Sequence, residues 1–134
     1  KYMTEIALLT TALLFGGMVL YSFGFAAFIF NALPAETAGP LIRKAFPHFY
    51  LFVLGTSAFA AALAAIALDW AAVGLLISIA VTTIFARQVL MPAIKTATDT
   101  GQKTRFKRLH GLSVLITLAH IAVAGFVIVQ MAAL

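Results

Sequence analysis

Phe106-Lys-Arg-Leu-His-Gly-Leu-Ser-Val-Leu-Ile-Thr-Leu-Ala-His-Ile-Ala-Val-Ala124 is the stretch whose reading decides the fold. A basic cluster opens it, and an apolar run follows as far as Leu134. His110, Ser113, Thr117 and His120 are spaced three, four and three apart. At roughly 100° per residue they share an arc of about 80° on an α-helix. The rest of that helix is Leu, Ile, Val, Ala and Phe, so it has no water-facing side. A polar stripe on such a rod belongs to a helix packed inside a membrane bundle.

The rest of the chain has the same character. Of its 134 residues, 63% are hydrophobic and 10% are charged. Soluble domains run at about 45–50% apolar and about 25% charged. With a mean hydropathy of +1.09, the chain has too little charge to cover a surface in water, and lipid must be part of its solvent. The length admits one domain, residues 1–134. There is no cysteine, which excludes disulfides, zinc–thiolate sites, iron–sulfur clusters and thiol catalysis. The net charge of +5 flanks apolar segments, so the expected partner is a membrane surface and not nucleic acid. Lys1 and Tyr2 precede Met3 and read as a remnant or as an alternative start. The first apolar segment is too long for a signal-peptide core and lacks a convincing cleavage site.

Working back from this stretch, four spans are expected, at about 3–33, 47–68, 71–91 and 105–134. In the first, Thr10, Gly17, Tyr21, Gly24, Phe28 and Asn31 share a face that reads as a packing seam. Pro34, Gly39 and Pro40 break the chain after it, and Leu41–Phe46 reads as a short interfacial helix carrying Arg43 and Lys44. The second span is alanine-rich, with Gly55, Ala58, Ala62 and Ala65 at close-packing spacing. Asp69 and Trp70 form a tight turn, which makes spans two and three antiparallel neighbours. Pro92 ends or kinks span three. Thr98, Asp99, Thr100 and Gly101 mark a loop within the connection to span four. The expected fold is therefore an all-α, antiparallel four-helix membrane bundle.

Charge sets the expected orientation. Arg43 and Lys44 follow span one. Lys95, Lys103, Arg105, Lys107 and Arg108 lie between spans three and four, while the turn between two and three has no Lys or Arg. The positive-inside rule places both basic connections in the cytoplasm and both ends of the sequence outside, as in a bacterial inner membrane.

Four spans bring Asn31, His48, Arg87 and His110 to a similar depth near the basic end. An arginine in a span costs about 2.5–3.5 kcal/mol at the centre and less near the ends. Arg87 either snorkels to the headgroups or faces the bundle, where without a carboxylate it would favour an anionic ligand. His120, near the midplane with Thr117 and Tyr21, is expected to hydrogen-bond Tyr21, Thr83 or a backbone carbonyl. It lies about 15 Å along the helix from His110, too far to share a metal with it. If haem or copper were bound, only His48 and His110 could face one another as ligands. No phosphate loop, dinucleotide fingerprint or serine or cysteine nucleophile pattern is present, and no buried acid is available to orient His110 for a hydrolase with Ser113. The reading leans away from an enzyme.

Gly16-Gly17, Phe46-Pro47-His48-Phe49-Tyr50, Arg87 ahead of Pro92, and Phe106 to Ser113 together resemble the transmembrane protein 205-like family. That resemblance covers nearly the whole chain and implies a four-helix membrane protein of no agreed activity. Thr117 stands where such proteins often carry an asparagine. More distantly the layout is similar to the copper-resistance CopD and HemJ-type proteins. The latter place a histidine in the first span, and this chain has none there.

These readings converge on a small-solute or metal binding or transport protein with a cytoplasm-facing polar site. Arg87 and His110 would bind or gate, supported by Asn31, His48 and Ser113. A haem- or copper-binding redox protein and a structural accessory subunit are the alternatives. Small-residue faces make a homo-oligomer plausible.

Overall fold

Helix dominates because apolar residues run too long for any loop to satisfy the backbone in lipid, where every N–H and C=O must pair within the segment. The computed structural model describes residues 2–134; Lys1, and with it half of the remnant read from Lys1 and Tyr2, lies outside the described residues. In order come α1 (Met3–Val19), the π-helical segment π1 (Leu20–Phe25), α2 (Ala26–Ala32), α3 (Ala35–Ile66), α4 (Trp70–Phe85), a second π segment π2 (Ala86–Leu90), α5 (Met91–Asp99) and α6 (Lys103–Ala132). They join into four continuous apolar spans, Met3–Ala32, Ala35–Ile66, Trp70–Asp99 and Lys103–Ala132. Each span packs on the next, and the fourth packs back on the first.

All four spans bury a quartet at the same spacing of four, three and four residues. The quartets are Ala7-Thr11-Leu14-Met18, Val53-Ser57-Ala60-Ala64, Ala72-Leu76-Ile79-Thr83 and His120-Ala124-Val127-Met131. This spacing keeps one seam facing the partners in knobs-into-holes packing. Because neighbours run antiparallel, Met18, Val53, Thr83 and His120 fall at one level, and Ala7, Ala64, Ala72 and Met131 at the opposite end of the seam. The outward surface stays apolar, with Leu9, Phe28, Phe59 and Val129 each more than half exposed, as lipid contact requires. Beyond the main core, Ile29, Ala38 and Ile42 form a smaller one at the basic end of spans one and two.

Several expectations give way here. Leu41–Phe46 is not a separate interfacial helix; it lies within α3, which runs unbroken through Pro40 and Pro47. Each proline deprives one carbonyl, that of Glu36 or Arg43, of its α-helical donor. Both lie within one long apolar span, where a broken backbone in lipid would cost more than a single unpaired carbonyl, so the helix runs on. Pro92 likewise bends the pattern without ending it. It leaves the Gln88 carbonyl without its donor, and Met91 N–H bonds to Ala86, five residues back, in the π pattern. Helix continues to Asp99, and the second connection shrinks to Thr100–Gln102. The packed faces also differ. Gly24, Phe28 and Asn31 are exposed, as are Gly55, Ala58 and Ala62. Alanine on nearly every side of span two made its periodicity uninformative.

Two turns close with the same hydrogen bonds. Asp69 N–H donates to Ala64 (2.9 Å) and Leu68 N–H to Ala65 (3.0 Å); Gln102 N–H donates to Ala97 (2.9 Å) and Gly101 N–H to Thr98 (3.3 Å). Both are Schellman endings, which put one residue in the left-handed region. Gly101 is there at φ +68°, and Leu68 at φ +62°. A left-handed leucine costs about 1 kcal/mol. Leu68→Gly should therefore raise the unfolding free energy in detergent by about that amount, measured by denaturant titration. An unchanged midpoint would show that the leucine side chain offsets the strain by its own contacts.

Candidate functional site

The two π segments mark where the regular quartets stop. Met18 is followed by Leu20–Phe25, and Thr83 by Ala86–Leu90. A π-bulge redirects side chains relative to the α-helical register and is frequent at functional positions. Tyr21 sits on the first and Arg87 on the second.

Arg87 is half-buried and turned toward span two. Its Nε–H donates to the Pro47 carbonyl at 3.4 Å, and its Nη1–H to Gln88 Oε1 at 3.0 Å. A guanidinium has five N–H donors, so most of its capacity is not taken up by these two bonds. The Pro47 carbonyl and Gln88 were not foreseen as its partners; a backbone oxygen carries no sequence signature. The other residues expected beside Arg87 point elsewhere. Asn31, His48 and His110 are exposed. His48 borders an apolar groove of about 520 Å³ between spans one and two, with Tyr21, Phe25, Phe49 and Phe52. His110 stacks on Phe106 one turn away, centroids 5.6 Å apart. Ser113 Oγ–H donates to the His110 carbonyl at 2.7 Å within its own helix. Among the described residues no side chain–side chain hydrogen bond joins any two of Arg87, His110, Asn31, His48 and Ser113. His48 and His110 lie on different spans, and among the described residues no three of His, Asp or Glu gather into a metal-binding group.

The midplane set resolves differently. His120 is buried, 7% exposed. Its Nε2 lies 2.6 Å from Thr82 Oγ1, while the Thr82 hydroxyl donates to the Ser78 carbonyl at 2.7 Å. The bond joins spans three and four. The partner is thus Thr82, not Tyr21 or Thr83; Thr83 is spent on the Ile79 carbonyl at 2.6 Å. The signal was in reach, since counting antiparallel heptads sets His120 level with residues 82 and 83. Thr117 is half-buried one turn toward the basic end. Tyr21 stacks on Phe49, centroids 4.3 Å apart, with Phe46 edge-on at 5.7 Å. Its hydroxyl is buried and has no hydrogen-bond partner among the described residues.

Four apolar spans around a heptad-packed core with a few buried polar side chains define an integral membrane protein. The chain belongs to the family described as a domain of unknown function, DUF4149, which matches residues 9–103. That match takes in nearly all of the first three spans and both π segments, and stops where span four begins. It lends nothing to the similarity to transmembrane protein 205-like, CopD or HemJ-type proteins. No curated protein and no solved structure matches the chain.

Proposed function

We propose that this protein binds or transports a small solute carrying an anionic group, and that Arg87 receives that group. One observation carries the reading. Arg87 is held between spans two and three by a carbonyl and an amide, not by a carboxylate, so its charge is positioned yet uncompensated. Its place on a π segment supports a functional over a purely structural role. In this reading the basic end faces the cytoplasm and the solute reaches Arg87 from that side, with His110, His48 and Asn31 exposed at the same end of the bundle. Spans one and four bury the least of their surfaces, which leaves room for a second copy in the inner membrane.

The test is ligand-induced thermal stabilisation of the detergent-purified protein across short carboxylates, inorganic phosphate and sulfate. One or more of these anions should stabilise the wild type. Arg87→Leu should weaken that effect by about tenfold or more in concentration, as loss of a charged hydrogen bond predicts, with Arg87→Lys intermediate. Equal stabilisation of Arg87→Leu and wild type would reject the assignment, as would a wild type that none of these anions stabilises.

A further inference from the structure

We propose that Arg105 and Arg108, at the start of span four, hold the phosphate of an anionic membrane lipid. The inference does not depend on Arg87. Seven exposed cations gather at this end of the bundle: Arg43, Lys44, Lys95, Lys103, Arg105, Lys107 and Arg108. Only Glu36 and Asp99 oppose them there, and among the described residues no ion pair engages any of the seven. Three of the seven have no cationic neighbour on their own helix face. Arg43 and Lys44 are adjacent in a helix and point about 100° apart, and Lys95 stands alone on α5. Arg105 and Arg108 are three apart, hence neighbours on one side of α6.

Together with Gln102, Lys103, Thr104 and Leu109 they line a hollow of about 510 Å³. Thr104 lies one turn from Arg108 and adds a hydroxyl donor on the same side. The hollow is cationic at the rim, and Leu109, where the apolar run begins, supplies its lower edge. That gradient suits an amphiphile. The phosphate would meet the guanidinium pair, which binds its oxygens bidentately, and the glycerol and first methylenes would lie against Leu109. Depth agrees, because a 30-residue helix is about 45 Å long while the hydrocarbon core is about 30 Å. The first turns of α6 therefore stand among headgroups. A free phosphate shares the chemistry but makes no use of the apolar edge.

Native mass spectrometry of the full chain in detergent separates these sources. The probes are dioleoylphosphatidylglycerol, dioleoylphosphatidylcholine and inorganic phosphate. Wild type should take up phosphatidylglycerol in preference to phosphatidylcholine. The double variant Arg105→Gln/Arg108→Gln should lose about thirtyfold in that preference, at about fivefold per cation near a charged lipid surface. The double variant Arg43→Gln/Lys44→Gln removes the same charge from the same end and should keep most of it. Equal losses in the two variants would mean diffuse surface charge and overturn the site. Displacement of the lipid by millimolar inorganic phosphate would overturn the lipid assignment. All four substituted residues are exposed, so matching elution volumes and helical circular dichroism should confirm that both variants fold.

Discussion

Gly17→Leu is expected to destabilise the bundle by about 3 kcal/mol, at the upper end of the usual cost of overpacking. The same change one residue earlier, Gly16→Leu, should be close to neutral. The difference lies in what a side chain would meet. A Cβ at Gly17 would come within 2.5 Å of Phe52 Cε2 and 2.6 Å of its Cζ, whereas at Gly16 it would meet nothing within 4 Å. At that distance the Phe52 ring has to move for any side chain to fit. That ring is part of the surface between spans one and two, beside Phe49, on which Tyr21 stacks. Close approach through a small residue is how membrane helices gain packing when lipid offers no hydrophobic drive to associate. A leucine there is expected to push the Phe52 ring aside or part the spans beside π1, and either movement should loosen the Tyr21–Phe49 stack as well. Unfolding of both variants by denaturant in mixed micelles checks this. If Gly16→Leu and Gly17→Leu lose the same stability, the contact with Phe52 does not govern the approach of the two helices.

The identity of Gly17 as a packing residue was legible in the sequence, and so were the number of spans, their order and the turn at Asp69. The misread helix ends have a common physical origin. Rules about proline come from chains in water, where an unpaired carbonyl and a clash end a helix. Pro40, Pro47 and Pro92 all lie where a long apolar helix has no favourable alternative, so helix persists and the disturbance appears as a freed carbonyl or a π turn. The core face of span two was hidden because alanine at positions 58, 60, 61, 62, 64 and 65 fits any face. The buried face is marked instead by Phe49, Tyr50, Val53, Ser57 and Leu63. For the candidate site, depth was legible but direction was not. Residues 31, 48, 87 and 110 were expected near one end because antiparallel spans compare simply. Which of them turn inward depends on helix rotation, and that is set by packing on all neighbours and by the two π segments.

His120→Lys should cost about 2.5–3.5 kcal/mol, the penalty for a cation near the middle of a span, while His120→Leu should stay within about 1.5 kcal/mol as a swap of comparable volume. The contrast decides what kind of interior this is. His120 occupies the first position of the span-four quartet, level with Met18, Val53 and Thr83, and those neighbours offer no charge to pair with an ammonium. Among the described residues its one hydrogen bond to another span is to Thr82, a hydroxyl that also lies 2.7 Å from the Ser78 carbonyl of its own helix. Such bonds between membrane helices average about 0.6 kcal/mol, so losing it with the ring replaced by leucine is a small effect. A lysine would have to carry its charge into a layer of methionine, valine and threonine, or reach past one turn of helix to escape. Stability of the two variants, measured in the same micelles, reads the result. A tolerated lysine would reveal water reaching His120 from the basic end, past Thr117 and the level of Arg87, and would extend the proposed solute path to the centre of the bundle. A severe loss would instead end that path at Arg87, with the His120 layer acting as a dry floor beneath it.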